Sequence, residues 1–111
     1  MKFASGDVCL VDFGDEYGGH RQIGIRPAIV VRKVADVVLV IPLTSNDKAL
    51  RFEGTVSIKP NALSGLTKPS VALLFQIQPI DVPEIIKKIG LLSEKDKRTI
   101  DSVLRKVVRL Q

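Results

Sequence analysis

The chain is predicted to fold as a mainly β domain, a small curled sheet or barrel, with one C-terminal α-helix. Three observations predict it. Apolar residues make up 45% of the chain while aromatics make up 5% and Trp is absent, so Val, Ile and Leu must fill the core. β-Branched cores favour sheet. Short apolar runs bounded by Gly, Pro, Asn or Asp recur through most of the sequence, and the apolar spacing becomes helical only in the last segment.

The first strand is "DVCLVDF", Asp7–Phe13. A second, "PAIVVRKV", opens on a proline at Pro27 and runs to Val34; "VVLVIPL", Val37–Leu43, is a third. Only Ala35 and Asp36 separate these two, so they form a tight hairpin. "GTVSI", Gly54–Ile58, is a short alternating strand, and "SVALLFQIQPI", Ser70–Ile80, reads as one longer strand apolar enough on both faces to sit centrally. "VPEIIKKIGLL" is ambiguous: Pro83 suits the opening of a helical turn, whereas Gly90 and its apolar neighbours suit a short strand. In the last segment Ile100, Val103, Leu104, Val107 and Val108 share one helical face. Ser93 followed by Asp96 resembles a capping box, which starts the helix near Glu94.

A length of 111 residues fits a single domain, 1–111, large enough to fold without a metal or disulfide staple. Mean hydropathy of +0.19 agrees with a folded chain. Cys9 is the sole cysteine and His20 the sole histidine, which excludes an internal disulfide, a thiolate metal cluster and a two-histidine ribonuclease mechanism. The opening residues lack the apolar stretch of a signal peptide, and the longest apolar run is too short to span a bilayer, so a soluble cytoplasmic protein is expected. Net charge is +5, with a pI near 9.6. Residues 84–111 carry eight Lys/Arg against four Asp/Glu, whereas residues 1–30 carry three against four. Such a balance favours polyanionic partners.

The segment "GGHRQIGIRP", Gly18–Pro27, places an imidazole, two guanidiniums and a carboxamide immediately before a strand. A regular hairpin about Ala35 and Asp36 sets Arg26 opposite Ser45 and Thr44 opposite Pro27, so a guanidinium and two hydroxyls meet at one sheet edge. Arg offers a planar donor fork that matches phosphate oxygens, and the hydroxyls donate beside it. No Walker pattern, dinucleotide fingerprint or metal-ligand cluster accompanies them. The set suits metal-free electrostatic stabilisation of a phosphate, including a pentavalent one. Each residue also has a plainer reading. Arg26 and His20 suit solvated side chains, Thr44 and Ser45 suit turn chemistry, and Arg98, Arg105 and Arg109 suit a wet helix face.

"GDVCLVDF", "GHRQIGIRPAIVV", "VIPLTS" and "SVALLFQIQPID", in that order, resemble the MazF/PemK/Kid family of toxin endoribonucleases, from Gly6 to the terminal helix. The resemblance implies an SH3-like barrel of the MazF/PemK/CcdB kind with a C-terminal helix, usually a homodimer, and makes "KKIGL" a strand. It implies sequence-selective, metal-independent cleavage of single-stranded RNA, mRNA included, without a cofactor. The ribose 2′-OH attacks the adjacent phosphate, and a separate antitoxin, through which alone the toxin meets DNA, neutralises the enzyme. Arg26 and Thr44 take the catalytic positions, and His20, Arg21, Gln22, Ser45, Gln76 and Gln78 are the implied RNA contacts.

Three positions depart from the family pattern: Arg21 precedes Gln22 where Glu is frequent, Phe75 replaces an acidic residue, and Gln78 replaces an arginine. Phe75 and Tyr17 offer flat faces for base stacking, although core packing is the favoured role for Phe75. Two other functions compete: a non-catalytic RNA-binding relative, and a gyrase-inhibiting protein of the CcdB kind. The latter acts through a Trp-containing tail, and this chain has no Trp.

Overall fold

The structure is a computed structural model, and it describes residues 2–14 and 23–109. Seven strands and one α-helix make up its regular elements among those residues: β1 (Asp7–Asp12), β2 (Ile25–Val34), β3 (Val37–Thr44), β4 (Thr55–Ile58), β5 (Ser70–Leu73), β6 (Gln78–Asp81), β7 (Ile85–Leu91) and α1 (Glu94–Arg109). Short 3-10 turns cover Asp47–Arg51, Leu74–Gln76 and Val82–Glu84. The strands join in the order β4-β5-β3-β2-β1-β7, with β6 also paired to β3. All the pairings are antiparallel.

The ambiguous "VPEIIKKIGLL" resolves into both of its readings: Pro83 sits in a 3-10 turn, and β7 follows directly. The apolar stretch Ser70–Ile80 is not one strand. It breaks at Leu74–Gln76, because its two halves pair with β3 in different registers: β5, which also pairs with β4, meets Leu43 and Thr44, and β6 meets Val37–Val40. Strand β3 is thus the hub of the sheet.

Strands apolar on both faces make sense here because both faces are covered. Val8, Ile29, Ile41 and Leu43 point into one core with Val56, Ile58, Leu74 and Ile100. Cys9, Val11, Ala28, Val30, Val38 and Val40 point into a second core with Ile80 and Ile85. Helix α1 closes the first. Ser93 Oγ accepts from the Asp96 amide at 3.1 Å, the N-cap bond that starts the helix where expected. Ile100 is buried and Val103, Leu104 and Val107 pack beside it, but Val108 is 59% exposed, just past the edge of that stripe.

The loop between β4 and β5 seals the open side of the sheet against β7. The Leu91 amide donates to the Leu63 carbonyl at 2.9 Å. Two glycines permit so close a crossing: a Cβ on Gly65 would collide with the Ile89 carbonyl, and one on Gly90 with the backbone of Leu63 and Ser64. Beneath this seam Asp7, almost fully buried, accepts from the Ala4 amide at 2.8 Å and pairs with Lys88 Nζ at 3.1 Å. The acid of "GDV" is therefore a structural anchor for β1 and β7.

Candidate active site

Strands β2 and β3 begin as the expected hairpin, with Val34 opposite Val37. A bulge then interrupts it: Val30 faces Val40 while Arg32 faces Leu39, leaving Val31 as an extra residue on β2. The register beyond slips by one, to Ile29–Ile41 and Ala28–Pro42. The expected pairing of Arg26 with Ser45 is corrected accordingly. Carried two residues further, the observed register sets Arg26 opposite Thr44.

The β2–β3 ladder ends at Ala28–Pro42, and the two prolines explain why. Neither Pro27 nor Pro42 has an amide to donate, so the β2–β3 ladder loses two donors at this point. Beyond that point β2 stays with β1, pairing Val11 with Arg26, while β3 turns to β5, pairing Thr44 with Val71. The sheet forks. A groove of about 400 Å³ occupies the fork, with Arg26 on one side and Thr44 and Ser45 on the other.

Arg26 is half-buried, and its Nε donates to the Ile23 carbonyl at 2.8 Å. That bond fixes the guanidinium plane and leaves its terminal nitrogens for a ligand. Among the described residues no carboxylate pairs with it. Thr44 Oγ1 accepts from the Asn46 amide at 3.2 Å, so its own hydroxyl proton remains available for donation. Ser45 is exposed at the same rim.

Sequence reasoning missed two further cations in this groove, Lys68 and Lys87. Lys68 arrives on the sealing loop. Lys87 arrives from β7, where it pairs with Leu10, which in turn pairs with Pro27. No local motif announces either residue; only the strand order brings them beside Arg26. Three cations and no carboxylate line the groove among the described residues, and no group of three metal-ligating side chains occurs there.

The other candidate residues scatter. Gln76 lies in a separate cavity, also about 400 Å³, that meets the groove at Thr44. Gln78 lines neither cavity; it sits on β6 opposite Val40, and its side-chain amide donates to the Gln76 carbonyl at 3.2 Å. His20, Arg21, Gln22 and Tyr17 fall outside the described residues. Phe75 is 43% exposed rather than packed in the core, because the 3-10 turn at Leu74–Gln76 buries Leu74 and turns its neighbour outward.

The family model for PemK-like, MazF-like toxins of type II toxin–antitoxin systems matches residues 4–108. This chain belongs to that family. It is 29% identical over 104 residues to the endoribonuclease MazF of Staphylococcus saprophyticus, a match covering 89% of this chain and 85% of that one. Its fold is similar to that of MazF from Deinococcus radiodurans, with a TM-score of 0.76, 20% identity and 94% coverage of each chain. A mycobacterial endoribonuclease solved with its cognate antitoxin superposes with a TM-score of 0.75 at 17% identity, covering 99% of this chain and 98% of that one. The barrel of MazF-like toxins is thus the architecture around the forked groove.

Proposed function

We propose that this MazF-like toxin is a metal-independent, sequence-selective endoribonuclease acting on single-stranded RNA in the cytoplasm, held in check by a cognate antitoxin. The observation that carries the reading is the fork itself, which leaves Arg26 and Thr44 facing one cationic groove in a chain of this family.

The chemistry follows from the donors. RNA lies with its scissile phosphate between Arg26 and Thr44. The 2′-OH of the preceding ribose attacks phosphorus, its proton passing to a base, and the 5′-oxygen of the next nucleotide leaves with a proton. The products are a 2′,3′-cyclic phosphate and a 5′-OH. Negative charge gathers on the non-bridging oxygens as the pentavalent state forms, and the Arg26 fork and the Thr44 hydroxyl stabilise that charge. Lys68 and Lys87 hold flanking phosphates. A groove lined by cations and hydroxyls needs no bound metal to supply this stabilisation.

Two such chains assemble as a homodimer, the commonest symmetric state, with the cationic grooves on a shared surface. An acidic, largely disordered antitoxin segment is the complementary occupant of that surface, and DNA is reached only through it. Incubation of single-stranded RNA in EDTA, analysed on a denaturing gel with the fragment ends mapped, tests the activity. Cyclic-phosphate ends that form more slowly with Thr44→Val are expected; a mobility shift without cleavage would mark a binding protein instead.

A further inference from the structure

The second cavity beside Thr44 carries features that the cleavage chemistry leaves unused. The chain has four Phe and no Trp, yet two of those Phe, Phe52 and Phe75, are 50% and 43% exposed and touch each other. Their ring centroids lie 6.1 Å apart at an interplanar angle of 60°. The Arg51 guanidinium sits 5.1 Å above the Phe52 ring. These rings and Lys48 line the cavity of about 400 Å³, a size typical of small-ligand pockets, and among the described residues no carboxylate lines it.

Hydrogen bonds fix the backbone that carries both rings. The Phe52 amide donates to the Ala49 carbonyl at 3.1 Å, and the Leu74 amide donates to the Gly54 carbonyl at 2.9 Å, which fixes the turn bearing Phe75. Thr55 Oγ1 donates to the Phe52 carbonyl at 2.9 Å. The two rings thus sit side by side in the ligand-free fold.

We infer that this cavity is a stacking subsite for one nucleobase of the RNA, next to the scissile phosphate, with Phe75 and Phe52 as its platform. The inference rests on the endoribonuclease reading above. Thr44 supports it geometrically, because it lines both cavities and so places a neighbouring base where a phosphate at Arg26 ends. Two exposed aromatic residues beside Arg51 and Lys48 suit the bases and phosphates of a single strand. A phenyl ring reads the π-face that every base shares. This subsite thus adds affinity and register while tolerating any base, and selectivity lies at other positions.

The test measures binding by fluorescence anisotropy to a short RNA carrying a 2′-deoxyribose at the mapped scissile position, so that cleavage does not intervene. Each flanking nucleotide is replaced in turn by an abasic ribose. At one flanking position the abasic change is expected to weaken wild-type binding about tenfold, while exchanging one base for another there changes it less than about threefold. Phe75→Leu keeps apolar bulk without a ring; it should lose about the same tenfold on intact RNA and almost nothing further on the abasic RNA. Phe75→Tyr restores a ring and should restore affinity.

Additive losses, or no abasic penalty at either flanking position, would overturn the subsite. Should Phe75→Leu leave the abasic penalty intact but change the sedimentation of the free protein, the face joins two copies of this chain and the inference is wrong. Failure of the underlying activity has a different signature. In that case all-ribose RNA stays uncut by the wild type in EDTA, and the subsite falls with it, whereas cleavage without coupling to Phe75 removes the subsite alone.

Discussion

Arg26 and Thr44 each lie two residues past Ala28–Pro42, the last cross-strand pair of the β2–β3 ladder, on strands that part there for different neighbours. The separation is useful. Had the ladder continued, the two side chains would be packed against one another across a closed sheet; because it stops, they border an open groove.

Arg26→Lys tests what that geometry supplies. Lysine keeps the charge but loses the fork that spans two phosphate oxygens, so the loss falls on the chemical step. Single-turnover cleavage is expected to slow about 100-fold or more, the cost of removing one preorganised donor from a transition-state site. RNA binding should change by less than about tenfold, since one phosphate contact is a small part of the total. Thr44→Val preserves shape while deleting the hydroxyl and should also slow cleavage. Thermal melts of both variants should match the wild type, because neither side chain belongs to either core. Cleavage by Arg26→Lys at the wild-type rate would show that Arg26 merely positions RNA.

Three cations in the groove predict the salt response. With Arg26, Lys68 and Lys87 each neutralising one phosphate of a single strand, log K should fall with log salt at a slope of about −2 from this groove. Lys87→Gln should weaken binding and make the slope shallower by about 0.7, whatever the RNA sequence. Titrations at several salt concentrations, with and without Mg²⁺, measure it. A slope unchanged in Lys87→Gln would remove that residue from the RNA path.

Much of this was legible in the chain. Period-two apolar runs, the two-residue turn at Ala35–Asp36 and the Ser93 cap place the hairpin and the helix, because each is a local signal. The bulge at Val31 was not legible: nothing distinguishes Val31 from the valine before it, and the extra residue is tolerated because Ile29 and Val31 pack on one core while Val30 packs on the other. The turn at Leu74–Gln76 was hidden for a similar reason. Its residues are apolar enough to continue a strand, and only the change of register along β3, from Leu43–Thr44 to Val37–Val40, breaks it. Lys68 and Lys87 were invisible to spacing arguments because strand order, not proximity in the chain, delivers them.

Cys9 is fully buried, and burial pushes its thiol pKa up; the Asp7 charge adds to the rise and Lys88 opposes it. The protonated thiol is therefore favoured in the fold. Its contribution to stability is complete below the unfolded cysteine value, about 8.5, and is lost as pH climbs through the raised folded value. A thiol-specific reagent at pH 8 should modify the native protein about 100-fold or more slowly than the unfolded chain, with a rate that tracks global unfolding in denaturant. Rapid labelling of the native protein would mean that β1 opens locally.

The seam between Gly65 and Gly90 links stability to the site. The loop it holds against β7 also carries Lys68 and Thr67 into the groove, so one crossing both seals the sheet and builds one wall of that groove. Gly90→Ala places a methyl group into the backbone of Leu63 and Ser64, where no flexible side chain can yield. Overpacking of this kind costs about 2–3 kcal/mol, and melting should drop by about 10 °C. The loop must lift to relieve the overlap, taking Lys68 with it. RNA binding should therefore weaken, by about as much as in Lys68→Gln, at temperatures well below the melt. Combining Gly90→Ala with Lys68→Gln should cost little more binding than either change alone, because both remove the same contact. Fully additive losses would show that the seam stabilises the barrel without shaping the groove.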